Sequence, residues 1–583
     1  MPYKNLTDEQ WNAVKHDGNL LLTACPGSGK TKTLVSKLCY LLEKKESSGV
    51  SKKRIIALTY TNIAADTIYE RLMSFGVDTK NLWIGTIHSF CLNWIIKPNL
   101  DRIPRLSKGF SVIDEHEKEH LIDELKDKYE LGFFDQVSTI LNADFKPIYL
   151  KGDIRYALVK EYHFYLSTNR LIDFDLILNI TLKLLTERKS LCRKISLLFS
   201  HILIDEYQDT SLLQYDILKR LYKNHNNHLT LIGDSEQAIY TGLGAIVKNE
   251  TELSVFFNIK DLAVMNLTGC FRSSQLIIDF YSKYKDGNFK INSLSKYKDF
   301  QSVILKEDSV DKSQLSYYVS GIIKTHIKQG ISPCDIAVLC PSWFDVIKLS
   351  GDILLLNNDF ELDGVTISPI PKNTENLWLM FIKLLFIKRI PNNFIIRKKI
   401  VDDFVAEINI NSPSFNDFSN KFVLAKINHL ATIANYNVNI EDWIVSVITD
   451  FCNFFRLDLS DGSFYHSEMN SLVNATLKRM KKYKMKYKAN DLPAFFNSRS
   501  GVKITTCHST KGDEYEVVIC TGLLENKIPH WSVIRNNSRQ HSDYVARRLL
   551  YVISSRAKKH LYMISERGYT TRSGIPYSAT PQL

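Results

Sequence analysis

Short, unbroken apolar runs recur along the chain at 20–23, 55–59, 201–204, 229–232, 336–339 and 517–520. Runs this short, apolar at nearly every position, read as strands buried on both faces. The stretches between them carry apolar residues at helical spacing. Strands alternating with helices predict an α/β fold with parallel sheets. Two long segments break the alternation. Residues 92–172 read as mostly helical, with 115–131 the clearest helix. Residues 350–495 read as helical and rich in Asn and Lys. Both read as insertions into α/β cores.

The strongest chemical signal follows the first strand: Ala24-Cys25-Pro26-Gly27-Ser28-Gly29-Lys30-Thr31-Lys32 leads into a helix at 32–42. Glycines let backbone N–H groups turn inward around phosphate oxygens at a helix N-terminus. Lys30 would reach the β- and γ-phosphates, and Thr31 would hold Mg²⁺. The first position of this loop motif is Ala24, where glycine is usual. A second signal is the apolar strand ending in Asp205-Glu206-Tyr207-Gln208-Asp209. Asp205 would hold the metal through water, and Glu206 would orient and deprotonate the attacking water. Lys30 and Asp205 are 175 residues apart, far more than a compact nucleotide-binding sheet needs, which supports an insertion.

These two motifs resemble those of the UvrD/Rep type of superfamily 1 helicases, and further motifs of that family follow in order. Leu6-Thr7-Asp8-Glu9-Gln10 resembles the Q motif, in which Gln10 would read the adenine edge. Leu58 to Ala65 resembles motif Ia, and Gly85 to Phe90 motif Ib. Asp173-Phe174-Asp175 resembles the return into the first core. Gly233 to Tyr240 resembles motif III, with Gln237 sensing the γ-phosphate. Leu267 to Ser273 resembles motif IV, Thr506 to Tyr515 motif V, and Arg548 to Ala557 motif VI. The resemblance implies that Arg272 and Arg556 reach the γ-phosphate across a cleft, and a cation there stabilises transition-state charge. It implies that Phe271 stacks on adenine and that Gly512 and Glu514 contact the nucleotide near the ribose. It also implies a DNA path along Tyr60, Thr61, His88, Phe90, Tyr240 and His508.

The implied fold is α/β, with two RecA-like parallel-sheet domains and helical insertions. Domain 1A would be residues 1–91 and 173–262, with 1B at 92–172. Domain 2A would be residues 263–349 and 496–583, with a reduced 2B at 350–495. The implied activity is an ATP- and Mg²⁺-dependent helicase or translocase, 3′→5′ on single-stranded or tailed duplex DNA.

Three departures from the family pattern concern the strand side. The aromatic and arginine usual after Tyr240 are replaced by Gly242 and Leu243. Asp513 stands where leucine is usual, and Val545-Ala546 replace an acidic pair. A short chain with a reduced 2B also resembles the helicase-like subunit of Gabija-type anti-phage systems, which pairs with a separate nuclease. The alternative reading is therefore a DNA- or nucleotide-sensing ATPase with weak unwinding of its own. A kinase or GTPase acting without nucleic acid is disfavoured by the two cross-cleft arginines.

Composition changes this picture little. The 583 residues allow about four domains or subdomains. A composition of 44% hydrophobic and 24% charged residues excludes a mainly disordered or fibrous chain. A net charge of +12 permits a polyanionic partner without requiring one. Lys478 to Lys488 holds seven basic residues interleaved with Tyr483 and Tyr487, a run that could follow phosphates or form a solvated helix face. The start has no signal-peptide pattern, and the greasiest stretch, 378–387, is interrupted by Lys383, so no membrane is expected. Ten cysteines without a Cys-x-x-Cys pair argue against zinc and disulfide frameworks and for a reducing cytoplasm.

Overall fold

A computed structural model describes residues 3–48, 53–113, 115–132, 135–142, 145–223, 227–240, 244–287, 289–356, 359–363, 368–371, 376–482, 485–496, 501–536, 538–571 and 574–583. Every predicted apolar run is a strand. The first sheet holds β1 (Leu20–Ala24), β2 (Arg54–Thr59), β3 (Leu82–Thr86), β4 (Phe199–Asp205), β5 (His228–Gly233) and β6 (Ala263–Leu267), in the order β3-β2-β4-β5-β1-β6. The second holds β7 (Ile304–Glu307), β8 (Ile336–Cys340), β9 (Leu362–Asp363), β10 (Val502–Thr506), β11 (Tyr515–Cys520) and β12 (Ala557–Ile564), in the order β7-β12-β11-β8-β10-β9. All pairings within both sheets are parallel. The fold is thus α/β with two six-stranded parallel sheets, as two RecA-like domains require.

Parallel order puts the C-terminal ends of β1, β4 and β5 on one edge of the first sheet. Ligands of open α/β sheets bind outside that edge, and the loop at 24–32, Asp205-Glu206 and Gly233-Asp234 all lie there.

Two strands of these sheets lie outside the core expected for them. β6 pairs with β1, Leu20 opposite Ala263. The chain therefore leaves the first sheet after Leu267, not at 262. β6 is an edge strand with alternating exposure, so it lacks the continuous apolar run that marks a central strand. β9 pairs with β10, Leu362 opposite Val502. It lies inside the segment expected to be a helical insertion, and two residues are too few to carry a pattern.

The segment 92–172 is less helical than its pattern suggested. It contains helices Glu115–Lys128 and Ile154–Thr168, but no helix among the described residues between them. Gly132, Pro147 and Gly152 punctuate that stretch. The second insertion has its own core, in which Trp378, Phe381, Phe404 and Phe451 meet. The greasy stretch is helix Leu377–Phe386, buried nearly all round at the centre of that core. No helix among the described residues is long and apolar enough to cross a membrane.

This insertion docks on the first unit. Lys399 pairs with Asp66 at 2.5 Å, and Lys97 with Glu407 at 2.5 Å. Between them the Ser111 hydroxyl donates to buried Glu468 at 3.0 Å. Burial pushes Glu468 up to about 7, against hydrogen bonds from the Leu377 N–H and Ser111 that favour its ionised form. The folded state therefore keeps a proton that the unfolded chain has lost above its ordinary glutamate pKa. Glu468's contribution to stability then falls as pH rises from about 5 to about 7. Melting curves across that window should show the wild type losing stability relative to Glu468→Gln, which cannot titrate. Parallel curves would mean that Glu468 is ionised throughout.

Candidate functional site: an inter-sheet phosphate cleft

The loop after β1 is shaped by Gly27 and Gly29, both at positive φ, where other residues are strained. A Cβ on Gly27 would also lie 2.6 Å from the Arg272 Cβ. That close approach comes from the segment after β6, where the Phe271 N–H donates to the Gly27 carbonyl at 2.8 Å. Phe271, 42% exposed, and Arg272 are thereby held against the loop. Gln10 is buried on the other side. Its Oε1 accepts from the Thr7 N–H at 3.1 Å and its Nε2 donates to the Ser28 carbonyl at 2.9 Å. One N–H and one lone pair of that amide remain for a base edge. Ser28 Oγ is buried and has no hydrogen-bond partner among the described residues. An orphaned hydroxyl in a glycine-built cradle at the start of helix Lys30–Ser48 fits a phosphate. Thr31 and Lys32 open that helix, and the Lys32 ammonium donates to the Asn5 carbonyl.

Lys30 Nζ lies 3.1 Å from Glu206 Oε1. Burial would lower the lysine, but Glu206, Asp234 and Asp205 outweigh it and hold Lys30 up. Glu206 has φ +54°. For a glutamate that is the strained left-handed region, and it folds the carboxylate back over the loop. The two acids titrate apart. Burial and Glu206 push Asp205 up, whereas Lys30 and Lys511 overcome burial and hold Glu206 down, ionised. An ionised carboxylate is what a proton acceptor must be. One carboxylate and one threonine hydroxyl at a phosphate loop suit Mg²⁺, which keeps waters and phosphates as its other ligands. No cluster of His, Cys, Asp and Glu able to hold a metal by itself exists among the described residues.

Gln208 fastens this acid pair to the next strand. Its Nε2 donates to Glu206 and its Oε1 accepts from the Asp234 N–H at 3.0 Å. Asp234 then accepts from Gln237 Nε2 at 2.8 Å, and Gln237 Oε1 accepts from Arg556 Nη2 at 2.7 Å. Arg556 lies just before β12 of the second sheet and is 1% exposed. The bridge places a guanidinium of one sheet inside the acid–amide network of the other. Arg272 donates to Glu514 at 2.9 Å and to the Ser555 carbonyl at 2.9 Å. Glu514 is therefore held by Arg272 and Lys558. Gly512 has open space where a Cβ would be.

Two cross-sheet ion pairs, Lys511 with Asp209 and Arg548 with Glu236, involve residues for which the sequence suggested no role. Lys511 pairs with buried Asp209 and donates to the Gln237 carbonyl at 3.1 Å. Arg548 pairs with Glu236 and, at 3.0 Å, with Asp286. Each lies inside a recognised motif. The available signal was a charged residue at a motif position with no assigned role.

The strand-side candidates divide. Tyr60 stacks on Tyr240 at 5.1 Å, and Tyr240 lies 6.3 Å from His508, whose carbonyl accepts the Tyr240 hydroxyl at 3.4 Å. Thr61, exposed, caps helix Asn62–Ser74. His88 is half-buried against Phe174 at 5.2 Å, and burial lowers it to about 4, so it is neutral. Phe90 is a correction. It is fully buried among Trp83, Trp94 and Phe199 and cannot offer a face to a strand. Its place in a helix just past a strand end resembled a surface motif, but its side chain fills the core behind that edge. Phe90→Ala should cost about 3–5 kcal/mol in urea unfolding and leave DNA affinity per folded molecule unchanged. A mild stability effect with lost affinity would restore the surface role. Gly242, Leu243 and Tyr483 lie outside the described residues. Tyr487 packs on Phe495 at 5.4 Å.

A two-sheet protein with a phosphate loop on one sheet and arginines supplied by the other is a nucleotide-driven machine of the helicase class. Family models agree and together take in more than half of the chain. Residues 6–258 match the UvrD/REP helicase N-terminal domain, and residues 467–568 match the UvrD-like helicase C-terminal domain. The chain belongs to the UvrD-type superfamily 1 helicases. Among its relatives is the ATP-dependent DNA helicase PcrA of Staphylococcus aureus strain Mu50, 24% identical over 96% of this chain and 83% of the relative. PcrA of Staphylococcus epidermidis ATCC 12228 is similar to the same extent.

Proposed function

We propose that this chain is an ATP-driven DNA motor, moving 3′→5′ on single-stranded or tailed duplex DNA. The Arg556–Gln237 bridge carries the reading, because it makes the hydrolytic site a property of both sheets together. In this reading 1A comprises residues 1–91 and 173–267, 2A comprises 268–363 and 496–583, and 1B and a reduced 2B lie between. Lys30 and the loop at 24–32 bind the phosphates. Thr31 and Asp205 hold Mg²⁺, which when bound neutralises charge on the β- and γ-phosphates. Glu206 takes the proton of the attacking water. Gln237, Arg272 and Arg556 meet the charge that develops on the γ-phosphate. Phe271 and Gln10 receive the adenine, and Gly512 and Glu514 lie towards the ribose. Nucleotide binds best when the sheets are closed around it, so binding and loss of the γ-phosphate bias closure and opening. Tyr60, Thr61, His88, Tyr240 and His508 grip the strand. The ten free cysteines suit a reducing cytoplasm.

The sensing ATPase with a separate nuclease partner is favoured by one observation. Gly242 and Leu243 offer neither ring nor charge where the family has both. A strand-displacement assay on 3′- and 5′-tailed duplexes, with ATPase measured with and without DNA, tests both readings. DNA-stimulated hydrolysis with weak 3′-tail-dependent unwinding is expected, strengthened in Gly242→Trp/Leu243→Arg. Strong processive unwinding by the wild type removes the sensing reading. Hydrolysis indifferent to DNA removes the motor.

A further inference from the structure

One side of the second sheet ends in an open strand. β7 pairs with β12 alone, in parallel, with Ile304 opposite Leu561 and Lys306 opposite Met563. The Leu561 N–H donates to the Val303 carbonyl at 2.9 Å, and the Ser565 N–H donates to the Glu307 carbonyl at 2.8 Å. Along a parallel strand, residues bonded to one neighbour alternate with residues that face the other side. Val303, Leu305 and Glu307 are therefore the ones bonded to β12. Ile304 and Lys306 aim their N–H and C=O groups away from the sheet, where among the described residues they meet no backbone partner.

A groove of about 510 Å³ lies between Ile304 and Lys306 of this strand and the helix Gln275–Tyr281 with the turn after it. Leu276, Asp279, Phe280 and Lys283 stand at i, i+3, i+4 and i+7, so they share the face that lines the groove. Leu276 is apolar and yet 44% exposed there. The Phe280 ring has an ammonium on either hand, Lys283 at 5.6 Å and Lys306 at 5.7 Å. Asp279, the one acid of the lining, accepts from Gln275 Nε2 at 2.8 Å. Short strands and lysines are ordinary protection for a sheet edge. Here the Lys306 side chain reaches back towards Phe280 and donates to the Leu583 carbonyl, so it does not screen the outward backbone groups. An unpaired edge beside an apolar groove takes an extended peptide as an added strand, the backbone giving affinity and alternate side chains giving specificity.

We propose that β7 and helix Gln275–Tyr281 form a docking groove for an extended, acidic segment of a partner protein, which joins the second sheet as a further strand. Its backbone bonds to Ile304 and Lys306. An apolar side chain of the segment lies against Leu276 and Ile304, and a carboxylate lies beside Lys283 and Lys306. A second copy of this chain fits less well, because pairing β7 with itself sets the same lysines against each other. Docking there requires neither the motor nor the sensing activity, since none of the groove residues belongs to the nucleotide cleft.

The test uses the full chain and two end-capped, fluorescein-labelled peptides of about ten residues, long enough to span a strand. One alternates valine with glutamate, and the other alternates valine with lysine. Anisotropy should show the glutamate peptide bound, and the lysine peptide bound about tenfold more weakly or worse, because like charges then meet. Lys283→Glu/Lys306→Glu should reverse that order. Ile304→Pro removes an outward N–H that β12 does not use, so the sheet should hold, and binding of the glutamate peptide should fall about tenfold or more. Hydrogen exchange read at single residues locates the bound peptide. The Ile304 and Lys306 amides should exchange fast in the free chain and the Leu305 and Glu307 amides slowly, and the glutamate peptide should slow the first two. That arm decides the matter alone if a variant does not fold. No binding of the glutamate peptide at about 1 mM, equal binding of both peptides, or binding that leaves Ile304 and Lys306 unprotected overturns the groove. A dimer that Ile304→Pro dissolves would give the edge to a second copy instead, and oligo-dT protecting the same two amides would give it to DNA; either result overturns the acidic partner.

Discussion

Arg556→Ala is expected to lower kcat about 10³-fold or more, the range for loss of an arginine finger. The guanidinium donates to Gln237 from the other sheet at 2.7 Å and anchors itself through Nε to the Val552 carbonyl at 2.9 Å. In the proposed reading alanine removes the cation that meets the γ-phosphate, and it leaves the Gln237 oxygen buried without the Arg556 donor. Arg556→Lys keeps a charge but lacks the planar fork that makes these two contacts at once, so it should recover little of the rate. Because Arg556 is fully buried, stability must be followed too. A double-mutant cycle with Gln237→Ala separates the bridge from the finger. If the bridge alone mattered, the double variant would be no worse than Gln237→Ala. An unchanged kcat in Arg556→Ala would mean that the second sheet does not complete the active site.

Glu206→Gln should retain ATP binding and lose turnover by roughly 10²- to 10⁴-fold, the usual contribution of a positioned base. The substitution keeps size and removes the acceptance of a proton, together with the charge that pairs with Lys30. Lys30 and Lys511 hold Glu206 in its ionised form, so the wild-type base is ready at neutral pH. Binding of a fluorescent ATP analogue and steady-state phosphate release measure the two properties separately. Lys30→Ala is the counterpart and should lose binding as well, since Lys30 is the cation proposed to face the phosphates. Wild-type hydrolysis by Glu206→Gln would move the role of base elsewhere, with buried Asp209 the next carboxylate along the same turn.

The candidate nucleotide half of the site was legible because it is local. The loop at 24–32, Asp205-Glu206 and Gln237 each follow a buried strand, and parallel strands deliver their C-terminal ends to one edge. Apolar runs thus located both the strands and the residues beyond them. Edge strands escaped for the converse reason. β6 is exposed at alternate residues and β9 is two residues long, so neither forms a run. Phe90 misled because a motif string carries no direction. Whether a ring beyond a strand end faces solvent or core is settled by packing with Trp83, Trp94 and Phe199, which are near it only in space.

The sequence by itself determined the fold class, the phosphate loop, the acid pair and the order of motifs that marks a UvrD-type helicase. Each depends on side chains within a few residues of one another, or on a periodicity that the backbone imposes. Only the tertiary structure decided which residues join the two sheets. Lys511 with Asp209, Arg548 with Glu236 and Arg556 with Gln237 are separated by hundreds of residues. A charge becomes a strut only when burial removes water and a carboxylate or an amide oxygen stands opposite to receive it.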